Sequence, residues 1–209
     1  MAYFMTMRDS ASLALGISRS TPELKKLKSP PPQILAPPHD LAPKIYICDI
    51  WAMNGTLQDA QAQIEIRLYD IATGALREDK SIGVQSLPSN RTTELMEDLS
   101  VDDQTAVQVI MRDTRDGHVI ARASDWPQPL KYVTLCATVD VSVSVLDGKL
   151  EVRANAPVKG LVVFVVPDDR DVEFEDNAVD IFPDDVYTIL ARGLKKDDRV
   201  EVRYYGSDF

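Results

Sequence analysis

From Lys44 onward, apolar and polar positions alternate with a period of two over short stretches. Gln63–Tyr69 shows it most plainly: Ile64, Ile66 and Leu68 point one way, and Gln63, Glu65 and Arg67 the other. Successive side chains of a strand leave opposite faces, so this period marks a strand with one wet face. Lys44–Trp51 is a compact apolar run, and Ile82–Leu87, Thr92–Met96 and Ala106–Arg112 read as further strands. Asp116-Gly117 separates Ala106–Arg112 from His118–Ala123, the signature of a hairpin turn.

The pattern breaks at Asp125-Trp126-Pro127-Gln128-Pro129, because two prolines two residues apart do not fit a central strand. Beyond it, Val139, Val141, Val143 and Val145 alternate with Asp140, Ser142 and Ser144. After Asp147-Gly148, Leu150, Val152 and Ala154 repeat the alternation, which predicts a second hairpin. Leu161–Val166 is apolar throughout and reads as a strand buried on both sides; Val186–Ala191 and Val200–Tyr205 complete the set. Short antiparallel strands in two blocks of this size predict an all-β chain. The expected architecture is two tandem immunoglobulin-like antiparallel β-sandwiches, over residues 44–129 and 130–209. Before them, residues 1–20 form a segment unlike the rest, with Ala11–Gly16 weakly helical. Residues 21–43, with Pro30, Pro31, Pro32, Pro37, Pro38 and Pro43, form an extended Pro-rich linker.

Composition narrows the function classes. An apolar fraction of 44% over 209 residues is enough for real cores. A net charge of −10 repels phosphate backbones, which argues against nucleic-acid binding. No apolar run approaches a membrane span, and Met1–Arg8 lacks the features of a signal peptide. Cys48 and Cys136 fall in different halves, where a sandwich with a core disulfide needs two per domain. An intracellular, cytoplasmic setting is therefore expected.

Candidate chemistry is sparse. Asp168, Asp169, Asp171, Glu173, Glu175 and Asp176 offer carboxylates for Ca²⁺ but lack the EF-hand spacing, and a solvated loop is the expected reading of residues 168–176. Trp126 could stack on a sugar; flanked by Pro127, it is expected to be buried between the sandwiches instead. His39 and His118 are too far apart in sequence to suggest a metal site or a catalytic pair. Asn54-Gly55-Thr56 and Asn90-Arg91-Thr92 match the glycosylation pattern, and in an intracellular chain both are expected to stay bare.

Several strings in the right order carry a resemblance. Asp125-Trp126-Pro127-Gln128-Pro129-Leu130-Lys131-Tyr132 resembles the segment joining the last two sandwiches of β-mannosidases of glycoside hydrolase family 2. Ile50–Leu57 is similar to an early strand and turn of the first of those sandwiches, and Val119–Arg122 to the strand leading into the joining segment. Pro157–Leu161, Asp176–Pro183 and Arg203–Gly206 resemble core motifs and the closing strand of the terminal immunoglobulin-like domain. Ala2-Tyr3-Phe4 and Gly16–Arg19 are similar to the tail of the catalytic barrel, which would make residues 1–20 a remnant of it. One departure stands out: Asp184-Asp185 follows Pro183 where the family usually has Gly-Asp or Gly-Glu, and Asp suits positive φ less well than Gly, so a different turn is expected.

The resemblance implies a parent enzyme that removes terminal non-reducing β-D-mannose from oligosaccharides and glycoproteins with two barrel glutamates and no cofactor. Retaining glycosidases hold such carboxylates about 5–5.5 Å apart. In the family the acid/base follows an Asn and the nucleophile commonly a Ser. Here Asn54, Asn90, Asn155 and Asn177 precede Gly, Arg, Ala and Ala, and no Ser precedes Glu. No run of eight alternating strand and helix units marks a barrel. The expectation is a non-catalytic C-terminal part of a β-mannosidase, with no catalytic, cofactor-binding or metal-binding residue. Its partner is the (β/α)8 barrel where one is supplied, and it binds neither nucleic acid nor membrane. The competing reading is a stand-alone carbohydrate- or protein-binding sandwich.

Overall fold

The computed structural model describes residues 13–22, 44–167 and 171–207. Most of the Pro-rich linker and the first twelve residues lie outside the described residues. The chain is built of antiparallel strands in two β-sandwiches and divides into two compact units. One takes the described residues up to Tyr69 together with Leu76–Val133. The other takes Asp70–Ala75 and the described residues from Thr134 on.

In the first unit, one sheet has the order β1-β2-β6, from β1 (Leu13–Ser20), β2 (Tyr46–Asn54) and β6 (Arg91–Val101). The facing sheet has the order β4-β3-β7-β8, from β3 (Ala60–Asp70), β4 (Leu76–Asp79), β7 (Thr105–Asp113) and β8 (Val119–Asp125). β5 (Gly83–Leu87) also pairs with β3. The alternation of Gln63–Tyr69 holds where it was expected: Ile64, Ile66 and Leu68 are buried in the core with Ile50, Val109 and Met111. Burying each such side chain contributes about 1.5–3 kcal/mol. β7 is buried on both faces from Thr105 to Met111.

The helical reading of Ala11–Gly16 is corrected. Leu13–Ser20 is a strand that pairs with β2 along its whole length, from Leu13 opposite Asn54 to Ser20 opposite Ile47. Leu15 and Ile17 enter the core, so these residues close the first sandwich. Gly16 does not end a helix. A Cβ there would lie 2.3 Å from the Trp51 indole, so the glycine makes room for the cross-strand ring.

In the second unit, one sheet has the order β12-β14-β10-β9: β9 (Val141–Leu146), β10 (Lys149–Ala154), β12 (Glu173–Phe174) and β14 (Tyr187–Arg192). The other has the order β13-β11-β15: β11 (Val158–Val166), β13 (Val179–Ile181) and β15 (Arg199–Arg203). Leu150, Val152, Leu161, Ile181 and Ile189 form its core. The β9–β10 hairpin turns at Asp147-Gly148, with Gly148 at φ 73°. The segment before β9 is tied down by Asn155, whose Oδ1 accepts from the Asp140 amide at 2.8 Å and whose Nδ2 donates to the Thr138 carbonyl at 3.1 Å. β11 is not buried on both sides: Phe164 is 42% exposed, and the Arg203 guanidinium lies 5.5 Å from its ring centre.

Candidate functional site

The strings singled out in the sequence become places where side chains take over backbone bonding. The first centres on Arg19 of β1. Its Nε makes an ion pair with Asp125 Oδ2, and its Nη2 and Nη1 donate to the carbonyls of Thr105 at 2.8 Å and Asp102 at 3.3 Å. The Tyr46 ring centre lies 5.4 Å from the guanidinium. The two charged side chains are only 6% and 14% exposed, so the pair ties the segment Gly16–Arg19 to the start of the joining segment. Cys48 lies alongside, its thiol 3.8 Å from Asp125 Oδ2. Burial pushes that thiol up to about 12; Asp125 adds to the rise and Arg19 offsets part of it. Such a thiol is inert as a nucleophile. Burial also works against the nearby Asp102 carboxylate, but bonds from Thr105, the Gln104 amide and Arg77 outweigh it and hold its pKa below the usual value.

The second string holds Asn54, which is 2% exposed. Its Nδ2 donates to the carbonyls of Gln58 at 2.9 Å and Leu87 at 2.8 Å, while its Oδ1 accepts from the Thr56 amide and hydroxyl. An amide nitrogen used twice in the interior is no acceptor for a glycan.

The third and fourth strings meet each other. Gly160, at φ 62°, sits in an irregularity of β11 between Val158 and Leu161. Asp180 closes it: Oδ1 accepts from the Gly160 amide at 2.9 Å and Oδ2 from Lys159 Nζ at 2.7 Å. Two residues beyond the Leu161–Val179 pair, the side chain of Asn177 replaces a strand backbone. Its Oδ1 accepts from the Val163 amide at 2.9 Å, and its Nδ2 donates to the Val163 carbonyl at 3.3 Å. Ala178 turns away at φ 58°. Asp184 itself takes φ 60°, so the turn after Pro183 holds a left-handed residue despite the missing glycine.

The expected candidates are placed as follows. Trp126 is buried, 3% exposed, and offers no free stacking face. Asp168 and Asp169 lie outside the described residues, as does His39. Glu173 belongs to a short strand rather than a loop, pairs with Arg192 at 3.3 Å, and Asp176 accepts from the Tyr187 hydroxyl at 3.3 Å. His118 is exposed and does have company that the sequence reading missed: Asp113, Asp116 and His118 bring their ligand atoms within 4.8 Å of one another. The hairpin explains this, since positions 113 and 118 pair across it. The groups already serve the turn. Asp113 accepts from the amide and guanidinium of Arg115, which lower its pKa, and Asp116 accepts from the amide of His118 and bonds its ring.

Residues 47–132 match the Mannosidase Ig/CBM-like domain. β-Mannosidase B of Thermothelomyces thermophilus is 29% identical over 99% of this chain, and that of Aspergillus terreus 32% identical over 76%. The alignments cover 24% and 20% of those proteins, so the chain spans under a quarter of the curated relatives it matches. Among solved structures, the β-D-mannosidase of Dictyoglomus thermophilum matches 78% of this chain with 21% of its own, at a TM-score of 0.61 and 20% identity. The exo-chitosanase of Amycolatopsis orientalis matches 75% with 24%, at 0.50 and 14%. Both show the fold.

Proposed function

We propose, from the premise that this chain is homologous to about a fifth of the β-mannosidase B chain and carries a Mannosidase Ig/CBM-like domain, that it is the non-catalytic C-terminal part of such an enzyme and supports its barrel. One observation carries the reading. Homology reaches 99% of this chain in one relative yet covers 24% of that relative. Whatever the remaining three quarters contribute is supplied outside the matched region. The geometry supports the same reading, because Arg19, Asp125, Asn177 and Asp180 are engaged in holding strands together. A residue already bonded to backbone amides and to an ion-pair partner is poorly placed to move protons. The two sandwiches, the first with β1 included, act as a pair of braces, and the parent reaction is hydrolysis of terminal β-D-mannose.

The same proposal places the chain inside the cell. Support comes from Cys48 and Cys136, which are both free thiols. Among the described residues no helix is long and apolar enough to cross a membrane.

Two measurements test the reading. The purified chain should release no nitrophenol from a nitrophenyl β-mannoside. A chimaera in which this chain replaces the aligned quarter of the Thermothelomyces enzyme should fold and keep its mannosidase activity. Turnover by the isolated chain, or a soluble, folded but inactive chimaera, would refute it.

A further inference from the structure

β9 is the last strand of its sheet, whose order is β12-β14-β10-β9, and among the described residues it pairs only with β10. Its sequence, Val141-Ser142-Val143-Ser144-Val145-Leu146, holds no charge, no proline and no glycine. Its register against β10 runs without irregularity from Val141 opposite Ala154 to Leu146 opposite Lys149. An edge of this kind is a template for another strand, and proteins commonly blunt such edges with charges, bulges or very short strands. Other edges of this chain show those devices. β15 carries Arg199, Glu201 and Arg203, β4 carries Arg77, Glu78 and Asp79, β6 pairs irregularly with β2, and β12 has two residues. β9 shows none of them.

Which backbone groups β9 leaves open follows from its ladder. In an antiparallel pair, alternate residues turn both N–H and C=O to the same neighbour. The Asn155 amide donates to the Asp140 carbonyl, so Asp140, Ser142, Ser144 and Leu146 face β10. Val141, Val143 and Val145 face away, and their N–H and C=O groups form the open edge. The same valines pack against the core yet stay half-buried, while Ser142 and Ser144 are exposed on the outer face.

This edge is its own complement. Val141 to Val145 reads the same in both directions. A two-fold axis at Val143 sets Val143 opposite Val143 of a second copy, and Val141 opposite Val145. Each such pair exchanges two backbone bonds, about six in all, which uses every outward group of the three valines. The valines of both copies then lie side by side on the core face, each covering the flank that the other leaves open. Ser142 stands opposite Ser144 of the second copy, with no like charges opposed. Asp140 and Asp147 bracket the segment, and at this register they meet Leu146 and Val139 rather than each other.

We propose that this chain associates with a second copy of itself through β9, antiparallel and centred on Val143, so that two four-stranded sheets join into one continuous sheet. A contact of the same patch with itself closes as a dimer. The inference is independent of the supporting role proposed above: it belongs to the second sandwich alone, and its failure would leave that role standing.

Sedimentation velocity on the whole chain, over about 1–200 μM, tests it. The chain should pass from monomer to dimer with a Kd of the order of 10 μM and form no larger species. Val143→Pro removes an outward N–H that β10 does not use, and should weaken association at least about tenfold while circular dichroism shows the fold retained. Two double changes on the exposed serines test the register without touching the core. Ser142→Lys with Ser144→Lys, and Ser142→Glu with Ser144→Glu, each set like charges opposite one another across the axis. Each should sediment as a monomer alone, and the two mixed in equal amounts should form a mixed dimer. A monomer throughout the range, a dimer that Val143→Pro or either double change leaves intact, or lysine and glutamate chains that do not pair would overturn the proposal.

Discussion

Replacing Asp125 by alanine strips the carboxylate from Arg19 and leaves a guanidinium whose side chain is 6% exposed. Two carbonyl acceptors, at Thr105 and Asp102, and the face of Tyr46 remain to it. Removing one partner of a buried ion pair costs about 3–5 kcal/mol, because the other charge stays desolvated. The two carbonyls and the ring return part of that, so the lower end, about 3 kcal/mol, is expected. For a fold whose total stability is of the order of 5–15 kcal/mol this is a large share. Urea unfolding followed by tryptophan emission is the assay, since Trp51 and Trp126 both lie in the same compact unit as the pair. At a slope of about 1–3 kcal/mol per molar, the midpoint should fall by roughly 1–3 M. Asp125→Asn keeps an acceptor and should cost less than Asp125→Ala. The apolar double replacement Arg19→Met with Asp125→Leu should be more stable than the sum of its single changes by at least about 1 kcal/mol, as expected when each single change strands a charge. A midpoint shift under about 0.3 M for Asp125→Ala, or a strictly additive double variant, would refute the reasoning.

Ala178 sits at φ 58°, where a Cβ costs roughly 1–2 kcal/mol, so Ala178→Gly should raise stability by about 1 kcal/mol in a urea titration followed by circular dichroism. Asn177→Ala leaves the amide and carbonyl of Val163 without the side chain that pairs them and should lose about 1–3 kcal/mol by the same measurement. At pH 8, with Cys48 at about 12 and buried, iodoacetamide should modify Cys136 and spare Cys48 until the chain is unfolded, read by mass spectrometry of the peptides. Asp79, Asp102, Asp113 and Asp116 all have folded pKa values below their ordinary ones, Asp79 and Asp116 chiefly through bonds from Ser81 and His118. The unfolded chain therefore binds more protons in the carboxylate range. Stability from these groups is fully present above about pH 5 and drains away as the pH falls below about 4, visible as a falling melting temperature.

Strands that alternate were legible because one wet face and one dry face leave a period of two in the residues themselves. Gln63–Tyr69 and Val141–Leu146 are of this kind. β1 was not legible, since the reason for Gly16 is the indole of Trp51, a residue 35 positions away that reaches it only once β1 and β2 pair. β12 and β13, of two and three residues, are too short for any period. The run Leu161–Val166 misled for the opposite reason: an uninterrupted apolar segment does not say which face is covered, and Phe164 stands half in water beside Arg203. The irregular pairing of β2 with β6 around Ile50 and Met96 was hidden as well, because register is a property of the pair of strands.

The strings that resembled a glycosidase share a physical trait that explains why they can be read without any catalytic group. A short strand such as β13 cannot hold its place by ladder bonds alone, because three residues give too few of them. Asn177 adds a pair of bonds to Val163 from its side chain, and Asp180 satisfies the amide that the irregularity at Gly160 would otherwise leave bare. Each needs a specific residue type: an amide that donates and accepts at once in the first case, a carboxylate that accepts twice in the second. Arg19 does the same between sheets, spanning from an edge strand to the end of β8 with one side chain that donates to three partners. Positions with such demands tolerate few substitutes, whereas core positions accept most apolar side chains of about the right size. Motifs of this sort therefore carry the identity of a fold in a chain that need not carry its chemistry, and that is the sense in which the similarity to β-mannosidases here is a statement about bracing.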